Sequence, residues 1–369
     1  MSGKKKFNLR LENLYLEHFR NIEKLQTTFA PTINILFGEN AQGKTNILEG
    51  IYFLAYSKSF RTSLLKNVPM HNHEVTTARG EVYSKDTITH LVSVSTNEGK
   101  QLYIDKKLVD IKRYLGSLHI ILYIPFASLI YGLPRERRKY LDRAMVSMDK
   151  NFIFLLANYN RVIKMRNALF KRRYSENELE TWNEQFIKYA IEIWKLRVAY
   201  IKNLNNEVAT LKSVFFKSGD EIEIGLSSTP KLSPDDSKWS EEVRNFLAVN
   251  KEKEEKTGFT IAGPHRDDMD IVMNSYNARY FCSSGQLKAT VILLTLAQID
   301  LFYEKYDEYP LLLCDDVDTE LDSSKLLSFL SFLKKDIQVF LTTTQPGICS
   351  SMNNVALHEV KNGTIVQNK

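Results

Sequence analysis

The sequence predicts an α/β fold, a mixed sheet with flanking helices joined to a short helical second lobe, and three stretches predict it. The apolar run Ile33-Asn34-Ile35-Leu36-Phe37 leads into Gly38-Glu39-Asn40-Ala41-Gln42-Gly43-Lys44-Thr45 and on into an apolar helix. Residues 135 to 217 carry helical spacing with no internal proline or glycine, and Leu311-Leu312-Leu313-Cys314 is a buried-strand run that delivers Asp315 and Asp316 at its end.

The first stretch reads as strand, phosphate loop, helix. In the spacing G-x-x-x-x-G-K-[ST] the glycines let the backbone wrap a polyphosphate with its N–H groups turned inward, and the helix N-terminus adds a positive dipole end. Gly38 through Thr45 therefore predict ATP binding, with Lys44 reaching the β and γ oxygens and the Thr45 hydroxyl a ligand for Mg²⁺.

The bulk properties exclude several classes. In 369 residues, 43% are hydrophobic and 25% charged, as in ordinary globular proteins. Lys4, Lys5 and Lys6 precede polar residues rather than a sustained apolar run, so no secretory signal is expected. Residues 115 to 133 contain Ser117, His119, Pro125 and Ser128 and read as a buried strand with a following turn, not a membrane span. Cys282, Cys314 and Cys349 lack metal-ligand spacing, which leaves a reducing cytoplasm as the expected setting. Net charge is +6, yet between Arg135 and Arg173 twelve basic residues face three acidic ones, a local excess of +9, so the remainder is slightly acidic.

Taken in order, residues 1–133 form the first part of the head. Leu11 to Arg20 and Leu25 to Phe29 read as strands, and Glu74 to Val82, Ile88 to Ser95 and Gln101 to Ile104 as an antiparallel hairpin set. The polar exit of the loop helix carries Arg61, which reads as a phosphate or DNA contact or as a solvated loop charge. His71 and His73 lack a third ligand for a metal.

Residues 134–256 are expected to form a helical lobe and connector, with helices over Arg135 to Met148, Asn151 to Arg173 and Glu178 to Val214. On the middle helix Arg161, Lys164, Lys171 and Arg172 fall at offsets 0, 3, 10 and 11, along one face. Such a stripe suits a phosphate backbone, whose neutralisation releases condensed counterions; the competing readings are a solvated bundle surface and contacts to acidic proteins. Lys251 to Lys256 reads as an exposed connector, and no stretch is heptad-regular enough for an extended coiled coil.

Residues 257–369 carry the remaining chemistry. Phe281-Cys282-Ser283-Ser284-Gly285-Gln286 precedes an apolar helix, Leu287 to Phe302, and places hydroxyl, N–H and dipole where an anion would sit. Asp315 suits the Mg²⁺ shell and Asp316 a general base. Gln338 to Thr344 reads as the next strand.

Together these resemble the ABC-type ATPase head shared with SMC proteins. More narrowly, Gly132-Leu133-Pro134-Arg135-Glu136-Arg137-Arg138-Lys139-Tyr140-Leu141-Asp142, Arg166-Asn167-Ala168-Leu169, Gly263-Pro264-His265-Arg266-Asp267-Asp268, Ser284-Gly285-Gln286 and Asp315-Asp316-Val317 through Glu320-Leu321-Asp322 resemble the bacterial RecF family of DNA repair proteins. The resemblance implies an ATP-dependent homodimer that binds duplex or gapped DNA at stalled forks, helps load recombinase in recombinational repair, and works with RecO and RecR. It also implies that Ser284 and Gly285 of one chain meet the γ-phosphate held by Lys44 of the other, with Gln286 completing the signature. Ala41 stands where the family mostly has glycine, Pro125 and Phe126 where an acidic pair is usual, and Thr343 where transporter heads carry histidine. Asp316, one methylene shorter than the glutamate of faster heads, implies slow hydrolysis. Against this DNA-binding switch stand an SMC-like architectural protein, whose arms are missing here, a transporter ATPase, which would need a membrane partner, and an ATP-gated module acting on acidic proteins.

Overall fold

Alternating burial in the N-terminal strand, with Leu11, Leu14, Leu16 and Phe19 wholly buried, sets one face of a sheet against a core from the start. The structure is a computed structural model that describes residues 9–333, 336–345, 347 and 355–366, and only the backbone of Glu320 and Ser323; Lys4, Lys5, Lys6 and Cys349 lie outside the described residues. In chain order β1 (Arg10–Phe19), β2 (Ile22–Thr28) and β3 (Ile33–Phe37) precede α1 (Lys44–Tyr56). Then come β4 (Thr76–Ser84), β5 (Thr87–Ser95), β6 (Lys100–Ile104), β7 (Lys107–Val109), α2 (Ile111–Tyr114) and β8 (Ile120–Leu122). The middle of the chain contributes α3 (Pro134–Met148), α4 (Phe152–Leu169), α5 (Glu176–Leu211), β9 (Ile222–Ser227), α6 (Trp239–Val249), α7 (Lys251–Thr257), β10 (Asp268–Met273), β11 (Tyr276–Asn277) and α8 (Ala278–Phe281). The last part holds α9 (Ser284–Tyr306), β12 (Leu311–Cys314), α10 (Val317–Glu320), α11 (Ser323–Phe332), β13 (Val339–Thr343), β14 (Val355–Lys361) and β15 (Thr364–Val366).

Two units emerge, one of residues up to Pro125 together with those from Gln298 onward, the other Phe126–Ala297. The first contains two six-stranded sheets, an antiparallel one ordered β2-β1-β4-β5-β6-β7 and a mixed one ordered β15-β14-β3-β13-β12-β8. The expected hairpin set is present, and its tight links have a local cause: Lys85-Asp86 and Asp105-Lys106 both sit at positive φ, the backbone that two-residue hairpins require. Helix α1 touches β1, β4 and β5 of one sheet and β13 of the other. Its apolar residues on every side are thereby explained, since Ile47, Leu48, Ile51, Phe53 and Leu54 are all fully buried. In the mixed sheet β3, β12 and β13 run parallel, so their C-terminal ends lie on one edge, where ligands of open α/β sheets bind.

The second unit packs α4 and α5 with the three-stranded sheet β11-β10-β9. Helix α5, at 36 residues, is the longest, and among the described residues no extended coiled coil is present. Residues 257–297, placed by sequence with the C-terminal part of the head, lie instead in this unit. The cause is a set of buried polar bonds: Arg197 donates to the Pro264 carbonyl (2.7 Å) and to Asp267 (2.6 Å), and Trp194 donates to Asp267 (3.0 Å). The expected connector Lys251 to Lys256 is helix α7, whose Glu254 is buried against Arg166 at 2.7 Å. The middle helix also stops early, at Leu169 rather than Arg173, because Ser175 caps the next helix by accepting from the Glu178 N–H. Lys171 and Arg172 are therefore off the α4 face.

His265 lies in the same buried layer. Its Nε2 is 3.1 Å from the Thr260 carbonyl, which can only accept, so Nδ1 must accept from the Tyr159 hydroxyl at 2.8 Å. Burial favours this neutral form and pushes the imidazole down to about 4. Between about pH 6.5 and 4 the unfolded chain takes up a proton there that the folded chain refuses, so His265 should weaken the fold as pH falls, by about 3 kcal/mol over the window. Asp267, pushed up to about 6 chiefly by burial against the pull of Arg197, titrates with the opposite sign. The expected result is thus a difference: urea midpoints of wild type should drop more steeply from pH 7 to 4.5 than those of His265→Gln.

Candidate nucleotide-binding site

The loop between β3 and α1 is shaped by its backbone. Gly43 has φ 108° and precedes the first turn of α1, while Ala41 holds φ 65°, a left-handed conformation that costs a residue with a Cβ about 1 kcal/mol. At Gly38 a Cβ would stand 2.5 Å from the Val360 carbonyl oxygen. Gly38→Ala is accordingly expected to cost about 2–4 kcal/mol and to remove nucleotide binding, read by thermal unfolding and by titration with ATP.

Lys44 is buried, and its ammonium donates to the loop carbonyls of Gly38 (2.7 Å) and Glu39 (2.8 Å), so the cation is stored across the mouth of the loop. Next to it, the Thr45 hydroxyl donates to Asp315 Oδ1 at 2.9 Å. Thr342 on β13 donates to the same oxygen at 2.7 Å and accepts from the Asp316 N–H at 2.7 Å. Burial pushes the Asp315 carboxyl up, the bond from Thr342 opposes this, and Asp316 beside it pushes up again. A hydroxyl and a carboxylate side by side, with the carboxylate short of positive charge, form an oxygen donor set that fits Mg²⁺.

Asp316 is exposed and sits in the left-handed region at φ 47°. Thr343, which stands where transporter heads carry histidine, donates to Asp318 at 3.0 Å. Asp318 also accepts from the Thr344 N–H (2.7 Å) and hydroxyl (2.6 Å); burial works against its charge, but these bonds hold its carboxyl below the ordinary range.

Sequence reasoning missed a second cluster on α1. Glu49, fully buried, accepts two bonds from Arg20 (3.0 and 2.6 Å) and one from Ser59 (2.5 Å), with Arg61 at 3.6 Å. The signal was a lone carboxylate inside an apolar helix, which demands a cation. Arg61 also donates to Asn46 on the first turns of α1 at 2.8 Å. Its guanidinium thus lies against the phosphate-loop helix.

In the second unit, Ser283 and Gln286 cap α9 reciprocally: the Ser283 N–H donates to Gln286 Oε1 (2.9 Å) and Ser283 Oγ accepts from the Gln286 N–H (3.3 Å). Gln286 thus holds the turn through its side-chain oxygen. Ser284 is exposed, and a Cβ on Gly285 would meet only open space beyond Ser283 Oγ at 3.9 Å.

The proposed DNA face is only partly present. Arg161 and Lys164 are exposed on α4. Arg172 lies beyond that helix and is paired with Glu178, and of the other basic residues Arg137 is paired with Asp268 and Arg166 with Glu254. Three charges of the +9 excess in that segment are thus matched by carboxylates outside it, two of them in buried or part-buried pairs.

Residues 10–366 match the family model of the RecF/RecN/SMC N-terminal domain. The DNA replication and repair protein RecF of Staphylococcus carnosus is 33% identical, the match covering 97% of this chain and 100% of that protein. The chain belongs to the RecF family. RecF of Staphylococcus aureus is 32% identical over 97% of this chain and all of that protein. Among solved structures, the recombination mediator protein RecF with ATP, described as part of the RecFOR pathway, covers 100% of both chains at TM-score 0.88 and 28% identity. An Smc head domain from Pyrococcus furiosus matches at TM-score 0.53 and 15% identity, covering 97% of this chain and 95% of that one, and shares the fold alone. The RecF/SMC-type ATPase head expected from the sequence is therefore the fold of this DNA replication and repair family.

Proposed function

We propose that this chain is an ATP-gated switch of recombinational repair, which dimerises on ATP and Mg²⁺, binds duplex or gapped DNA, and helps load recombinase at single-strand gaps. The observation that carries the reading is the Thr45 hydroxyl set 2.9 Å from Asp315 at the mouth of a loop whose lysine is stored on its own carbonyls. Gly38 through Thr45 would hold the phosphates, with Arg61 beside them, and Thr45 and Asp315 the cation, which supplies charge neutralisation to the terminal phosphates. Asp316 is the candidate base for the attacking water; its short side chain supports slow turnover. Ser284 and Gly285 stand open at the start of α9, as a surface that receives the γ-phosphate on a second copy must. Arg161 and Lys164 remain the part of the α4 face available to DNA. The relation of the relatives to a RecFOR pathway supports RecO and RecR as partners, and a cytoplasmic location follows from that role.

Sedimentation velocity of the purified chain tests this. Monomer alone, dimer with ATP and Mg²⁺, and a heavier species on adding gapped duplex are expected; a chain that stays monomeric at saturating ATP overturns the proposal.

A further inference from the structure

Resting on the DNA-binding reading above, we propose that the open edge of the antiparallel sheet in the ATPase unit is a second phosphate-backbone contact, made by Lys58, Lys100, Lys106, Lys107 and Arg113. Strand β7 ends that sheet, so among the described residues its outer edge has no neighbouring strand. Between Gly99 and Arg113 five basic residues accompany two acidic ones, Asp105 and Asp110. Both carboxylates are taken by backbone: Asp105 accepts from the His90 N–H (2.9 Å) and Asp110 caps α2 by accepting from the Arg113 N–H (2.8 Å). Among the described residues, the five proposed cations are exposed and make no ion pair, in contrast to Arg137 of α3 and Arg166 of α4.

Lys58 and Lys100 are the more telling pair. Lys100 donates to the Ser57 carbonyl at the end of α1, which holds it beside Lys58. Protein packed around the stems and the charge of Lys58 push the Lys100 ammonium down to about 8, although both side chains reach solvent. Two like charges held together with no carboxylate between them are relieved by an anion. Glu98, at the tip of the β5–β6 hairpin, is the exposed carboxylate closest in sequence. Lys107 pairs with Ile104, four residues along β6 from Lys100, so the two ends of the edge lie about 13 Å apart at roughly 3.3 Å per residue. That is close to the major-groove width of about 12 Å, a span over which one duplex presents two phosphate rows. Lysines on an edge strand also guard against edge-to-edge aggregation, which accounts for Lys106 and Lys107 but not for Lys58 or Lys100.

The test uses the full chain with ATP, Mg²⁺ and a fluorescent gapped duplex, titrated across a range of KCl. For Lys58→Gln/Lys100→Gln/Lys107→Gln, affinity at about 0.1 M salt should fall at least tenfold and the slope of log K against log salt should flatten by about 2–3, with ATP affinity within about twofold of wild type. Unchanged affinity and slope in this variant, or a loss seen only in Arg161→Gln/Lys164→Gln, overturns the edge while leaving the DNA-binding reading intact. A wild-type chain that binds no duplex with ATP overturns that reading, and the edge with it.

Discussion

Lys44→Ala is expected to bind ATP at least 100-fold more weakly than wild type, about 2.8 kcal/mol, in a calorimetric titration with Mg²⁺ present. The ammonium is the one buried cation of the loop, and charge-assisted bonds to two phosphate groups are each worth about 1.5–3 kcal/mol. Its storage on the carbonyls of Gly38 and Glu39 adds a second effect, because without it two inward-facing acceptors lose their donor. Lys44→Arg separates the two: it keeps the charge, yet the wider fork does not fit between those carbonyls, and it should recover less than a tenth of the affinity.

A comparable loss, in stability rather than binding, is expected at Arg166. Its guanidinium is 1% exposed and bonded to Glu254 (2.7 Å), Asn183 (2.8 Å) and Thr260 (2.9 Å). Arg166→Ala leaves Glu254 as an uncompensated buried charge and should cost about 3–5 kcal/mol in urea unfolding. All three tryptophans, Trp182, Trp194 and Trp239, lie in the second unit, so intrinsic fluorescence reports that unit directly. Replacing both partners, Arg166→Met with Glu254→Met, should return part of the loss. It cannot return all of it, since Glu254 also accepts from the Ile261 N–H at 2.9 Å. A single variant that unfolds with wild type would show that the pair contributes nothing.

What was legible in the sequence was whatever its own neighbours specify. The phosphate loop, the hairpins and the strand ending in Asp315 depend on local spacing and on period-2 burial, and they stand where the pattern put them. What was not legible depends on partners far along the chain. Arg166 and Arg137 entered only as part of a local basic excess because their carboxylates, Glu254 and Asp268, lie 88 and 131 residues away. Helix α4 looked longer because the stop signal is Ser175, which belongs to the following helix. Thr342 gave no sign in sequence that it would join Asp315 to Asp316, since that depends on β12 and β13 being parallel neighbours. Arg61 stood out in the sequence as a charge at the exit of the loop helix, but Asn46 and Glu49 decide which way it faces.

Glu49 has one more guanidinium than it needs. Arg20 saturates the carboxylate edge-on and is only 18% exposed, whereas Arg61 approaches at 3.6 Å with half its side chain in water. Arg61 can swing away without stranding a bare anion in the core, at a cost closer to that of a surface ion pair, under about 1 kcal/mol, than to that of a buried one. The chain thus keeps a loosely moored cation within reach of its phosphate loop, ready to be spent on whatever negative charge arrives there.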